Sequence, residues 1–293
     1  MPGKKQSPPQ QLELFGKLQT EGKSPRKASA RPPVPASTAH RIQATKPTSA
    51  QREAVSSIPD EALMEAVSGN PKRLRLAAIE EVGRRRIAGA VPALALECRQ
   101  LMGHGADEIV PEQIAAVEAL AAIGGRGSAA AMAELIDEQV IVGPGLLDAL
   151  VAAAGLGSVL AQDVMPSLLR SDDADIRAAA CRLVRGRPGE VAQVRLMLDD
   201  RSPQVRLAAA CCLGSLGHED VRPALLAAAD SSPTHEVIEG LAGVIDADTV
   251  VRLGRIARLA PEWREAIVEV LEDCDLPTAA KVAAGLRVVE HEG

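Results

Sequence analysis

The sequence predicts an all-α fold, a right-handed α-solenoid of six or seven helical hairpins preceded by a tail. Three observations favour it. Apolar segments recur at nearly constant intervals, their apolar residues have helical spacing, and 46% of the residues are hydrophobic while only 1% are aromatic. Small aliphatic side chains suit close packing of helices better than a β-sandwich, in which aromatic and β-branched residues are favoured.

Residues 1–55 are expected to form a disordered basic tail rich in Pro, Ser and Lys. The first fifty residues hold eight of the twenty prolines, and their nine basic residues against Glu13 and Glu21 give a charge of +7. Such a segment buries too little apolar surface to offset the entropy lost on ordering. The other 243 residues hold 24 basic and 37 acidic residues, a charge of −13.

Residues 56–293 are expected to form the helical repeat domain. Related segments such as RLRLAAIEEVG (73–83) and QVRLAAACCLG (204–214) end at five glycines separated by 41, 31, 31 and 28 residues: Gly83, Gly124, Gly155, Gly186 and Gly214. These intervals are typical of helical-hairpin repeats. We expect each glycine to end its helix in the left-handed conformation.

A second type of helix alternates with the first. The segments AVPALAL (90–96), DVMPSLL (163–169) and DVRPALL (220–226) share a proline close to their start. Pro166 and Pro223 then lie in a first helical turn, where the missing N–H costs nothing. Asp163 and Asp220 are predicted to be the N-cap residues of these helices.

The segment DDRSPQVRLAAACCLGSLG (199–217) resembles the HEAT repeat family, in the bacterial variety also seen in phycobilisome-lyase-like proteins. Asp200, Val205 and Arg206 match the family pattern. Arg75 and Arg177 occupy the position of Arg206 in their own repeats. The resemblance covers about residues 57–275 and implies the solenoid architecture, which serves many unrelated functions.

The resemblance also implies a structural ladder between neighbouring repeats, formed by Arg75, Arg177, Asp200 and Arg206. Gly69 and Ser171 stand where the family pattern has the aspartate, six residues before Arg75 and Arg177. A ridge of arginines that binds a ligand is the alternative interpretation.

No catalytic, cofactor or metal site is predicted. Residues 125–130 spell GxGxxA, but they follow a helix rather than a strand, as an inter-helix turn does. Cys98/His104 and Cys212/His218 share one spacing, yet each pair is interpreted as a core thiol and a solvated histidine. Five cysteines without a CxxC pattern, and no run of 18 apolar residues, favour a soluble cytoplasmic protein without a membrane segment.

The tail contains the segment QLELF, which holds two leucines and the only phenylalanine of the chain. It resembles the pentapeptide by which bacterial polymerases and repair proteins bind the sliding clamp, Gln-Leu-[Ser or Asp]-Leu-Phe, and Glu13 alone departs from it. The resemblance implies a partner-binding motif made of Gln11, Leu12, Glu13, Leu14 and Phe15. Docking on the solenoid or on another partner, and no role at all, are the alternatives.

The leading functional prediction is a non-enzymatic adaptor that presents a helical surface to a protein partner and is tethered by its tail to the replication clamp. The charge of −13 argues against a body that grips nucleic-acid phosphates, whereas the basic tail would bind nucleic acid weakly. The alternative is an enzyme-associated solenoid, either a bilin-lyase-like or a DNA-repair-associated factor.

Overall fold

The computed structural model describes residues 46–69 and 72–288, so QLELF lies outside the described residues. Within them the chain forms α-helices joined by short turns, three of them 3₁₀ turns, and no strand. The first eight helices are α1 Ser49–Ser56, α2 Asp60–Ser68, α3 Lys72–Arg85, α4 Val91–Gln100, α5 Pro111–Ile123, α6 Gly125–Asp137, α7 Gly145–Leu156 and α8 Met165–Leu169. The next eight are α9 Ala174–Arg182, α10 Pro188–Met197, α11 Pro203–Ser215, α12 Arg222–Ser231, α13 His235–Ala242, α14 Ala247–Leu259, α15 Arg264–Glu272 and α16 Pro277–Val288.

The helices form two layers. Each odd-numbered helix from α1 to α13 packs against the next odd-numbered one, and even-numbered helices such as α2 and α4 or α14 and α16 pack in the second layer. Consecutive helices such as α5 and α6, or α11 and α12, join the layers. The predicted all-α solenoid is thereby confirmed, with eight helical pairs in the described part of the chain where the sequence indicated six or seven.

The additional helix at the start, α1, lies almost entirely within residues 1–55, which were expected to be a tail. Thr48 and Gln51 form a capping box, in which the Thr48 hydroxyl accepts from the Gln51 N–H at 3.2 Å and the Gln51 side chain accepts from the Thr48 N–H at 2.7 Å. Val55 is buried, and the Arg85 guanidinium donates to its carbonyl. The capping box and the buried Val55 thus stabilise a helix in a segment whose polar composition predicts no ordered structure.

Two of the five repeat glycines have a positive φ, so the prediction holds for them in part. Gly124 caps α5 with φ 71° and ψ −169°, and Gly186, with φ 80°, lies four residues beyond the end of α9. The prediction is wrong for Gly83, Gly155 and Gly214, which lie inside α3, α7 and α11. Each of these helices continues beyond its glycine by one or two residues.

Gly83 and Gly214 instead permit a close approach of neighbouring helices in the odd-numbered layer. A Cβ on Gly83 would lie 2.8 Å from the Ala119 Cα on α5. A Cβ on Gly214 would lie 2.5 Å from the Gly240 carbonyl oxygen on α13. A glycine at these points is required by the distance between two helix backbones, not by a turn.

The predicted caps at Asp163 and Asp220 are wrong. Helices α8 and α12 begin without a side-chain cap, although Pro166 and Pro223 lie in their first turns as predicted. Asp220 is part of a 3₁₀ turn that runs directly into α12, and its carboxylate pairs with Arg195 at 2.7 Å. A residue that is already helical cannot fold its side chain back onto the following N–H groups.

Four cysteines belong to the core, and for Cys98 and Cys212 this confirms the prediction: Cys98, Cys181, Cys211 and Cys212. Burial raises the pKa of Cys98, Cys181 and Cys211 to about 12 and the pKa of Cys212 to about 11. These thiols therefore stay neutral at physiological pH and pack as small apolar groups.

The close approach at α11 predicts that Gly214→Ala lowers the free energy of unfolding by about 2–3 kcal/mol, because the added methyl group overpacks the contact with α13. Gly155→Ala is the matched control. This glycine also lies inside a helix, but nothing lies within 4 Å of its added Cβ, so stability should rise by about 0.5–1 kcal/mol. Urea unfolding measures both values. Equal effects of the two substitutions would contradict this account of the layer.

Candidate partner-binding surface

Three arginines occupy the same position near the start of α3, α9 and α11. Each guanidinium donates to the carbonyl oxygen six residues before it: Arg75 to Gly69 at 3.4 Å, Arg177 to Ser171 at 2.8 Å, and Arg206 to Asp200 at 2.8 Å. The recurring bond fixes the turn that leads into each helix. Because the guanidinium is a charged donor, each of these bonds to a carbonyl outside the helix is charge-assisted.

Arg177 and Asp200 form the contact between repeats that the family resemblance implies. The guanidinium binds the carboxylate through two bonds of 2.9 and 2.8 Å, and both side chains are less than a tenth exposed. Arg177 holds the pKa of Asp200 below its ordinary value, and the Ser202 N–H donates to the same carboxylate. The pair joins the start of α9 to the turn before α11.

The other two arginines of the predicted ladder have different partners. Arg75 binds Glu97 on α4 at 2.8 Å, and Glu97 is fully buried. Arg206 is exposed and bonds the carbonyl oxygens of Asp200 and Arg201. The sequence explains the difference at Arg206, because Ser232 stands before α13 at the place that Asp200 takes before α11. Of the four predicted residues, only Arg177 and Asp200 therefore form an ion pair between repeats.

A surface depression of about 460 Å³ crosses four consecutive odd-numbered helices, α5, α7, α9 and α11. Its apolar floor is formed by Val117, Ala121, Leu147, Val151 and Ala152. Its polar rim is formed by Glu118, Asp148, Asp175, Arg182 and Gln204. Val151 on α7 is 52% exposed, and Leu207 on α11 is 36% exposed.

A second groove, of about 610 Å³, lies between α13 and α15 and includes the loop that follows α15. Its apolar lining consists of Ile238, Ala242, Ile245, Ala266, Val270 and Leu276. Carboxylates of four residues also line it: Glu239, Glu269, Asp273 and Asp275. Sequence reasoning missed both depressions because their linings come from helices about thirty residues apart.

A third depression, of about 390 Å³, lies between α1 and α3 and includes Glu81. Hydrogen bonds from Arg84 and then Arg85 lower the pKa of Glu81 to about 2, against the opposing effect of burial. A general acid or base needs a pKa near the operating pH, which is the opposite perturbation. Glu81 is therefore an anion held by two arginines, and its role here is to anchor the end of α3.

The part of the chain that the structure describes shows no group of three or more metal-ligating side chains close enough to hold an ion. Over the same residues, none of the helices combines the length and the apolar character that crossing a bilayer requires.

Comparison with family models gives a match over part of the chain. The family model described as HEAT repeats matches residues 161–246, which contain Arg177, Asp200 and Arg206. The match supports HEAT repeats in this segment and agrees with the layered packing of its helices. No curated protein matches the chain.

The buried pair predicts a clear difference between two arginines at the same repeat position. Arg177→Ala leaves the Asp200 carboxylate buried without its cation and should lower the free energy of unfolding by about 3–5 kcal/mol. Arg206→Ala removes an exposed side chain and should cost less than about 1 kcal/mol. Chemical denaturation measures both values. A loss of stability for Arg206→Ala as large as that for Arg177→Ala would contradict the distinction between a buried Arg177 and an exposed Arg206.

Proposed function

We propose that this protein is a non-enzymatic protein-interaction scaffold whose partner binds the outer surface of the odd-numbered helices. HEAT repeats fit an interaction scaffold in general, and the match at residues 161–246 supports that reading. The observation that carries the proposal is the depression across α5, α7, α9 and α11. A surface that spans four repeats suits an extended protein partner better than a small substrate.

The composition of this depression resembles that of a protein interface. An apolar centre with Val151 and Leu147 is bordered by charged groups such as Glu118 and Asp148, as interfaces combine an apolar core with a polar rim. Val151 is more than half exposed in the isolated chain, so burial by a partner would remove apolar surface from water.

Val151→Arg should abolish capture of the partner while leaving the fold intact, because the substitution puts a charge on the floor of the depression. The measurement is affinity purification of the full chain from its native cytosol, with quantitative mass spectrometry. Val251→Arg is the matched control, since Val251 is 65% exposed on α14 of the other layer. Thermal melting should be unchanged for both variants. A partner retained equally by both, or lost equally from both, would refute the assignment of this surface.

The second part of the proposal is that the tail tethers the scaffold to a bacterial sliding clamp through Gln11, Leu12, Leu14 and Phe15. Support comes from the sequence alone, in which these four residues match the clamp-binding pentapeptide. Leu14 and Phe15 would each gain about 1.5–3 kcal/mol on entering an apolar pocket.

A peptide of residues 10–17 should bind a purified bacterial clamp with a micromolar dissociation constant, about −7 to −8 kcal/mol, after the cost of ordering the peptide. In the full chain, Leu14→Ala with Phe15→Ala should abolish clamp binding without changing the melting curve. Leu18→Ala, just outside the motif, is the control and should bind normally. No binding of the peptide at hundreds of micromolar would refute the tether. A lowered melting temperature of the double variant would instead indicate that the motif belongs to the fold.

A further inference from the structure

Most of the carboxylates that line the groove between α13 and α15 have no arginine or lysine partner. Neighbouring acids bind arginines: Glu236 pairs with Arg182 at 2.7 Å, and Glu272 pairs with Arg287 at 2.7 Å. Inside the groove, the nearest basic group is His235, which lies 3.2 Å from Glu239. Its lining contains no lysine and no arginine.

Three carboxylates of the groove, those of Glu269, Asp273 and Asp275, form no ion pair with any residue in the described ranges 46–69 and 72–288. Glu269 and Asp273 are four residues apart at the end of α15, so they lie about one helical turn, or 5.4 Å, from each other. Like charges at this spacing repel, which leaves the isolated groove with a negative charge that a cationic partner would neutralise.

The groove is apolar beneath these charges. Ile238 is buried, and Ala266 and Val270 are half-buried on the face of α15 that meets α13. A volume of about 610 Å³ is far larger than a single cation needs and lies within the range of sites that bind organic groups or several side chains. The site therefore combines two requirements, positive charge at the edge and apolar contact at the floor.

We infer that this groove binds a basic segment of a partner protein, in which lysines or arginines alternate with an apolar anchor residue. The inference rests on the proposed scaffold function and names the chemistry of one partner. The basic side chains contact Glu269, Asp273 and Asp275, and the anchor packs on Ala266 and Val270. Charge complementarity selects the partner, and burial of the anchor distinguishes a protein segment from a free polyamine or metal ion.

The direct test uses the full chain and a fluorescein-labelled synthetic peptide made of three Arg-Leu-Ala-Arg repeats, with binding followed by fluorescence anisotropy at physiological salt. Two control peptides replace every Leu by Ser or every Arg by Glu. The parent peptide should bind, the Ser peptide should bind about tenfold more weakly, and the Glu peptide should not bind. Equal binding of the parent and Ser peptides would overturn the inference, because simple attraction to negative charge would then explain it. No binding up to about 1 mM would overturn it as well.

The location is tested with a pair of charge reversals. Glu269→Lys faces the groove and should weaken binding of the parent peptide at least about tenfold. Glu65→Lys makes the same change of charge at an exposed position on α2, at the other end of the series of helices, and should change binding less than about twofold. Asp275→Lys provides a second groove variant on the loop after α15. Equal weakening by Glu65→Lys and Glu269→Lys would refute the groove as the site.

Failure of this inference is separable from failure of the proposed function. The peptide experiment addresses only the groove between α13 and α15, whereas the proposed partner surface is tested at Val151 on α7. If the basic peptide does not bind and Val151→Arg loses the partner, the groove is excluded as a binding site and the proposed scaffold function is supported.

Discussion

The structure depends on the short distance between successive odd-numbered helices. Gly83 faces Ala119, Gly214 faces Gly240, and a Cβ on Gly240 would lie 3.1 Å from Cys211. Because glycine has no side chain, the helix backbones approach each other closely at these points. A single added methyl group would therefore push neighbouring repeats apart. Small residues, namely alanine, glycine and cysteine, thus allow the helices of this layer to pack closely without large aromatic side chains.

This packing determines where a ligand can bind. The odd-numbered layer has little space between its helices, so the accessible depressions lie on its outer surface and cross from one helix to the next. The Arg177–Asp200 pair lies at the junction of α9 and α11, two of the most closely packed helices, and it fixes how they are aligned. A rigid junction keeps the side chains of α5, α7, α9 and α11 in register, which an extended binding surface requires.

The sequence predicted the architecture from features that are local to each repeat. The helical spacing of apolar residues in segments such as QVRLAAACCLG, and the prolines at 166 and 223, depend only on helical geometry and first-turn chemistry. The structure places both as expected. The prediction that Gly83 and Gly214 end their helices was wrong. A single sequence does not distinguish a glycine that allows close approach of a neighbouring helix from a glycine that forms a turn.

The candidate sites were less accessible to sequence reasoning. The ladder position was recognisable from the resemblance, but only the structure distinguishes the buried Arg177 from the exposed Arg206. The groove between α13 and α15 lies after the last segments in which the sequence shows the repeat, and its acids resemble ordinary solvated residues in the sequence. Contacts between helices that are distant in the sequence determine which carboxylates form ion pairs with arginines, as Glu236 does with Arg182.

Native-state hydrogen exchange of the full chain tests the central claim most directly, namely that close contacts in the odd-numbered layer couple neighbouring repeats. If they do, the amides of α9, α11 and α13 open in one cooperative unit, with opening free energies within about 1 kcal/mol of one another and the same dependence on denaturant. The result that would contradict the account is independent opening, with α13 exchanging several kcal/mol more readily than α11 across the Gly214–Gly240 contact.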